Sequence, residues 1–173
     1  MKSRRRNYLL PVLLLCLAAC IAVIWGNSLT APDKSMQASG QVALELQEVL
    51  SALQIPPAQR QFLVRKTAHF LEYAGLGFLW VLTLRAVNFP GKGRYSLAFC
   101  AVIAICDESL QLLSGRTGSL RDVGIDCLGA AAGIAVTLVL LEVTVKLQKK
   151  RGKLPSAGEK SRENFGNLPQ KTD

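Results

Sequence analysis

Ionisable side chains interrupt three apolar segments of this 173-residue chain. His69 and Glu72 lie near the start of the first of these segments. Asp107 and Glu108 lie in the second half of the next, and Asp126 lies near the start of the last. A charged side chain in an apolar, membrane-like segment is costly unless it pairs, loses its charge or faces water. Such residues can hold helices together through ion pairs, line a polar binding pocket or bind a cation.

Helical spacing adds further polar side chains to this set. Tyr73 follows His69 by four residues, and Gln111 follows Asp107 by four. Side chains three or four residues apart share one face of a helix, so each group can turn inward together. The predicted polar pocket comprises Lys66, His69, Glu72, Tyr73, Asp107, Glu108, Gln111, Arg116, Ser119, Asp122 and Asp126.

Two interpretations of this set stand side by side: an ion-pair network that holds the helices together, and a polar pocket that binds a ligand. The two can coexist. A metal is conceivable, because one histidine and several carboxylates converge. However, His69 is the only histidine in the chain, and H-x-x-E is a weak pattern, so no metal site and no cofactor are predicted. The sequence contains no Ser/His/Asp motif, no Walker motif and no dinucleotide fingerprint.

Long apolar blocks must position these residues. Half of the chain is hydrophobic, and a block of roughly 20 apolar residues is enough to cross a membrane. The sequence therefore predicts an all-α, polytopic membrane protein with a bundle of four transmembrane helices. The predicted parts are a basic N-terminus at 1–7, one transmembrane domain at 8–145 with spans at about 8–25, 67–84, 95–113 and 123–145, and a disordered basic tail at 146–173.

The first predicted span has two other interpretations, a cleaved signal peptide and a lipoprotein signal ending at Cys20. Residues 21–25 remain apolar, which favours a helix that is retained.

The loop between the first two spans contains one predicted amphipathic helix. Apolar residues recur at helical spacing between Val42 and Leu53. Ser39 is the expected N-cap, and Pro56 and Pro57 end the helix. We expect this helix to lie on the outer membrane surface.

The distribution of basic residues predicts the orientation. With both termini in the cytoplasm, 15 of the 21 Lys and Arg residues fall on the cytoplasmic side, as the positive-inside rule requires. The polar pocket then lies at the outer face. The net charge of +9 sits in clusters beside apolar blocks and carries no nucleic-acid motif, so membrane lipids rather than nucleic acid are the expected partners.

Several ordered motifs resemble the VanZ-like family of bacterial membrane proteins. Residues 65–73 and 107–111 match K-x-x-H-x-x-x-Y and D-E-x-x-Q. Residues 116–122 match R-x-x-S-x-x-D, and residues 129–133 form G-x-x-x-G, with a looser likeness at 27–29. The resemblance implies a multi-pass protein of the bacterial cell membrane. Its namesake is associated with low-level resistance to the glycopeptide teicoplanin, and the resemblance implies no cofactor and no catalytic residue.

The leading functional prediction is an envelope-associated accessory or binding protein. Its ligand would be a lipid-linked cell-wall precursor or a lipoglycopeptide, with Lys66, Arg116 and Arg121 meeting phosphate or carboxylate groups. The alternative is a membrane enzyme acting on a lipid or lipid-linked phosphate, with His69 or Glu108 as general base. An ion-coupled carrier that uses the buried acids is a third interpretation.

Overall fold

The structure is a computed structural model that describes residues 2–115 and 119–152, with side chains described for 8–115 and 119–150. All regular secondary structure in these residues is helical, which confirms the all-α prediction. The six helices are α1 (Lys2–Ser28), α2 (Pro32–Glu45), α3 (Gln47–Ala52), α4 (Pro57–Ala86), α5 (Lys92–Leu113) and α6 (Leu120–Gly152).

Three of the described helices are both long enough and apolar enough to cross a membrane. The apolar stretches are Tyr8–Ser28 in α1, Lys92–Leu113 in α5 and Leu120–Lys150 in α6. Helix α4 contains the other predicted span, 67–84, and is 30 residues long. The same polar residues that drew attention to this segment, His69 and Glu72, lower its hydropathy. Length and composition therefore support three spans.

The loop helix differs from its prediction in where it begins. The sequence predicts a helix capped by Ser39, but α2 already begins at Pro32, since the fixed φ of proline suits the first helical position. The Ser39 hydroxyl instead donates to the Ser35 carbonyl within the helix. The helical path breaks at Leu46 between α2 and α3, and Pro57 opens α4.

Most of the apolar residues that predicted the loop helix point outward. Leu50 is buried, whereas Val49 is 56% and Leu53 is 65% exposed. Helix α2 packs against α4, and α3 contacts α2. The loop therefore presents an apolar surface on its outer side while it covers the first half of α4.

Helix α6 extends beyond the predicted fourth span. It continues through Lys146 and Lys150 to Gly152, so the first residues of the predicted disordered tail are helical. The remainder of that tail, 153–173, lies outside the described residues. The described residues up to Leu138 form one compact unit and those from Val139 onward form a second, and the polar residues from Asn27 to Asp126 belong to the first.

Helices α1, α4 and α5 pack against one another around a small apolar core. The core includes Ile24, Tyr73, Leu76, Cys100 and Ala104. Each of the three helices contributes to it, so the packed face of α4 is turned toward protein. This packing sets the rotation of α4 and with it the direction of its polar side chains.

Small residues bring α4 and α6 into close contact. A Cβ atom built on Gly129 would collide with the Phe70 carbonyl, and one built on Gly133 would collide with the Ala74 carbonyl. The G-x-x-x-G motif therefore serves a contact within the chain, where the lack of side chains lets two backbones approach. The contact holds the first half of α4 beside the start of α6.

Candidate functional site

The polar residues gather at one end of the helical bundle. This end is formed by the last turn of α1, the first half of α4, the last turns of α5 and the first turns of α6. Hydrogen bonds and ion pairs between these helices connect residues that are far apart in sequence, such as Ser28 and Asp107.

Asp107 is the best-satisfied carboxylate of this end. It is fully buried in α5. The Ser28 hydroxyl donates to its Oδ1 at 2.5 Å, and the Gln111 side-chain amide donates to its Oδ2 at 3.2 Å. Hydrogen bonds to an ionised acceptor are stronger than neutral ones, so these two donors hold the carboxylate in one orientation.

Asp126 is equally buried but poorly satisfied. Its Oδ1 lies 3.5 Å from His69 Nδ1, which is an ion-pair distance only when the imidazole carries a proton. Neither oxygen of Asp126 has a hydrogen-bond partner among the described residues, and the buried hydroxyl of Tyr73 has none either. A buried polar group without a partner is unfavourable, so these atoms require a partner that the described residues do not supply.

Three of these side chains converge on a single point. Each of His69, Asp107 and Asp126 offers one nitrogen or oxygen atom, and the three atoms all lie within 4.8 Å of one another. They come from three different helices, α4, α5 and α6, so no local sequence motif contains all three residues. Glu72, the partner that H-x-x-E spacing suggested for His69, instead accepts a hydrogen bond from the Asn27 amide at 2.8 Å.

A second group of predicted residues joins the helices at the edge of this end. Lys66 and Asp122 form an ion pair between α4 and α6, and their side chains are only 12% and 19% exposed. Glu108 accepts a hydrogen bond at 2.8 Å from the backbone N–H of Ser119, just before α6. These contacts match the interpretation of the polar residues as helix-holding pairs. They also occupy Lys66, which was expected to meet an anionic ligand.

A cavity of about 300 Å³ opens beside the buried residues, between the end of α1, helix α2 and the first half of α4. Asn27, Lys34, Arg65, His69 and Glu72 are among the residues that line it. Only His69 and Glu72 belong to the pocket predicted from the sequence.

Two basic residues of the cavity were not among the predicted pocket residues. Lys34 and Arg65 line the cavity, and within the described residues neither forms an ion pair. In the sequence, Lys34 lies in the polar segment after the first span, where no helical spacing relates it to the other candidate residues. Arg65 shares a helical face with His69, and that spacing was the available signal.

The other predicted residues fall into distinct places. Tyr73 and Gln111 are buried inside the bundle. Arg121 is exposed, and its backbone N–H donates to the Ser119 hydroxyl. Arg116 lies outside the described residues.

Apolar helices long enough to cross a membrane, with buried polar residues that meet at one end, define this chain as a helical integral membrane protein. The family model VanZ/LLP1 matches residues 12–141, and the chain belongs to that family. The matched range includes every described site residue from Asn27 to Asp126. No curated protein and no solved structure gives a significant match.

Proposed function

We propose that the chain crosses the bacterial cell membrane four times, with both termini in the cytoplasm and the polar end at the outer face. Helix α4 has 30 residues, or about 45 Å at 1.5 Å per residue, which exceeds the roughly 30 Å of a bilayer's apolar core. Two of its polar side chains, Glu72 and Lys66, have partners on α1 and α6. The excess of Lys and Arg in the predicted cytoplasmic segments favours this orientation.

In this arrangement the protein is an envelope-associated accessory protein that binds an anionic ligand. The observation that carries the proposal is the cavity beside α2, where Lys34 and Arg65 have no ion-pair partner within the described residues. Unpaired basic side chains bind phosphate and carboxylate groups through charge-assisted hydrogen bonds. An anionic ligand in the cavity would give both Lys34 and Arg65 an ion-pair partner.

The size of the cavity limits which part of the ligand it holds. Its volume of about 300 Å³ is at the lower end of the range for small-molecule pockets. It fits a phosphate-bearing headgroup or one acidic corner of a larger molecule. A lipid-linked cell-wall precursor would offer the first and a lipoglycopeptide such as teicoplanin the second. The exposed apolar residues of the loop, including Val49 and Leu53, would hold the loop against the membrane beside such a ligand.

Protection against teicoplanin provides the cellular test. A sensitive host would express the wild-type chain, an Arg65→Gln/Lys34→Gln double variant, or an Arg85→Gln control, which changes an exposed arginine in the last turn of the same helix. We expect the double variant to lose the protection that the wild-type chain confers and the control to keep it, at equal amounts of membrane protein. Full protection by the double variant would contradict the proposal.

Binding to purified protein identifies the ligand. The wild-type chain and the double variant, each in lipid nanodiscs, would be titrated with a polyisoprenyl phosphate and with teicoplanin. Weaker binding by the double variant to one of the two identifies that class of ligand. Equal binding by both proteins to both compounds would show that the cavity is not the binding site.

A further inference from the structure

We propose that His69, Asp107 and Asp126 bind a single divalent transition-metal cation at the polar end of the bundle. This inference is separate from the proposed binding function, because it rests on the buried residues and not on Lys34 or Arg65. It also differs from the expectation drawn from the sequence, which was that no metal site is present.

The first argument is geometric. One atom from each of the three side chains lies within 4.8 Å of the other two. Zinc binds nitrogen and oxygen ligands at about 2.0–2.2 Å, which places neighbouring ligand atoms of a tetrahedral site roughly 3.5 Å apart. Small side-chain rotations would bring the three atoms from their present separations, all within 4.8 Å, to that spacing. Each ligand lies on a different packed helix, so the backbone already holds the three residues together.

The second argument is the balance of charge. Asp107 and Asp126 are both fully buried, and within the described part of the chain no Lys or Arg contacts either carboxylate. The nearby Lys66 is already paired with Asp122. A divalent cation would neutralise two buried carboxylates while His69 binds as the neutral imidazole, which removes the cost of uncompensated buried charge.

The third argument is the set of unsatisfied atoms. Both oxygens of Asp126, His69 Nδ1 and the Tyr73 hydroxyl are buried without a hydrogen-bond partner among the described residues. Tyr73 is fully buried and lies one helical turn beyond His69. A cation would satisfy Asp126 and His69 directly. A water molecule in its fourth position would offer Tyr73 a partner.

The surroundings resemble those of other metal ligands. Asp107 is oriented by hydrogen bonds from Ser28 and Gln111, as the ligating carboxylates of metal sites usually are. The cavity lined by His69 and Glu72 provides a route from the outer face. An imidazole among the ligands favours Zn²⁺ or Fe²⁺ over Mg²⁺, Ca²⁺ and Mn²⁺, for which carboxylate, carbonyl and water oxygens are the better ligands.

Zinc titration of the purified full-length protein tests the proposal. Detergent-solubilised protein, stripped with a chelator, would compete for Zn²⁺ with a chromophoric chelator, and elemental analysis would give the stoichiometry. We expect one Zn²⁺ per chain and binding weakened by about 100-fold or more in Asp107→Asn and Asp126→Asn, because losing a ligand costs more than the roughly 10–100-fold typical of losing an outer-shell partner. The matched control is Glu142→Gln, which removes an exposed carboxylate later in α6 and should bind like the wild type.

Three results would overturn the proposal: no binding by the wild type, unchanged affinity in the two ligand variants, or equal loss in the Glu142→Gln control. Thermal unfolding gives a second measurement, because a cation that binds only the folded state raises its stability. Zn²⁺ should raise the unfolding temperature of the wild type but not of Asp126→Asn. An equal increase in both would also refute the site.

If a variant fails to fold, the wild-type protein loaded with Co²⁺ tests the metal site without any substitution. Visible absorption bands of cobalt bound by nitrogen and oxygen ligands would support the site, and the spectrum of aqueous cobalt would refute it. The Arg65→Gln/Lys34→Gln double variant should retain normal zinc affinity. Loss of metal binding and loss of the proposed ligand binding therefore remain distinguishable.

Discussion

The contact between α4 and α6 predicts a measurable cost for adding one methyl group. A Cβ atom on Gly133 would collide with the Ala74 carbonyl, which belongs to the backbone of α4 and cannot rotate away. On Gly77 of α4, a Cβ atom would lie 2.6 Å from the Ala130 carbonyl oxygen, against an ordinary contact of 3.4–4 Å. Either substitution must separate the two helices by about 1 Å to restore normal contact.

The magnitude follows from two opposing effects. Overpacking a well-packed contact costs about 1–3 kcal/mol. Replacing a glycine inside a helix with alanine recovers up to about 1 kcal/mol. We therefore expect Gly133→Ala to lower the free energy of unfolding by up to about 2 kcal/mol, which is the overpacking cost less the gain in helix propensity.

Matched controls separate packing from helix propensity. At Gly75 on α4 and Gly124 on α6, an added methyl group would meet no atom within 4 Å, so alanine there keeps only the favourable effect. Equilibrium unfolding of the purified protein in detergent would compare Gly133→Ala with Gly75→Ala and Gly124→Ala. If all three variants were equally stable, the close approach of α4 and α6 would be wrong, and so would the positions it sets for the polar residues.

Three further predictions concern the polar contacts and the topology. A double-mutant cycle on Lys66 and Asp122 should give a coupling of about 0.5–3 kcal/mol, measured by the same unfolding assay, because both side chains are mostly buried; additive effects would show that the pair does not interact. Ser28→Ala should destabilise the protein by about 1–3 kcal/mol, since it removes the shortest hydrogen bond to Asp107, and an unchanged stability would contradict that contact. A reporter active only outside the cytoplasm should be inactive when fused after the last residue or in the turn between α4 and α5, and active in the loop between α2 and α3; activity in the α4–α5 turn would show that α4 does not cross the membrane.

The physical basis of the polar end is mutual burial by helices that supply one another's partners. Asn27 donates a hydrogen bond to Glu72, the Ser119 backbone N–H donates one to Glu108, and Lys66 forms an ion pair with Asp122. Each contact removes a cost that a lone polar group would incur in an apolar environment. The cluster of His69 with the two buried aspartates is the exception, because His69 Nδ1 and both oxygens of Asp126 have no hydrogen-bond partner among the described residues.

Periodicity and composition determined much of this protein. Long apolar blocks predicted four spans, three of which are helices long and apolar enough to cross a membrane. The ordered motifs between 65 and 135 indicated the family that the match at residues 12–141 confirms. The same blocks showed which ionisable residues are unusual, because an acid or base inside an apolar segment requires a partner. Spacing within a single helix also placed Asp107 and Gln111 on one face, and the two are hydrogen-bonded.

Only the tertiary structure decided which residues meet across helices. Ser28 and Asp107 are 79 positions apart, and no local spacing links them. Spacing also placed His69 and Glu72 on one face of a helix, but in the structure Glu72 contacts Asn27 and His69 lies beside Asp126. The reason is that a helical period specifies faces within one helix, while the neighbour of each face depends on how the small residues of α4 and α6 let their backbones pack.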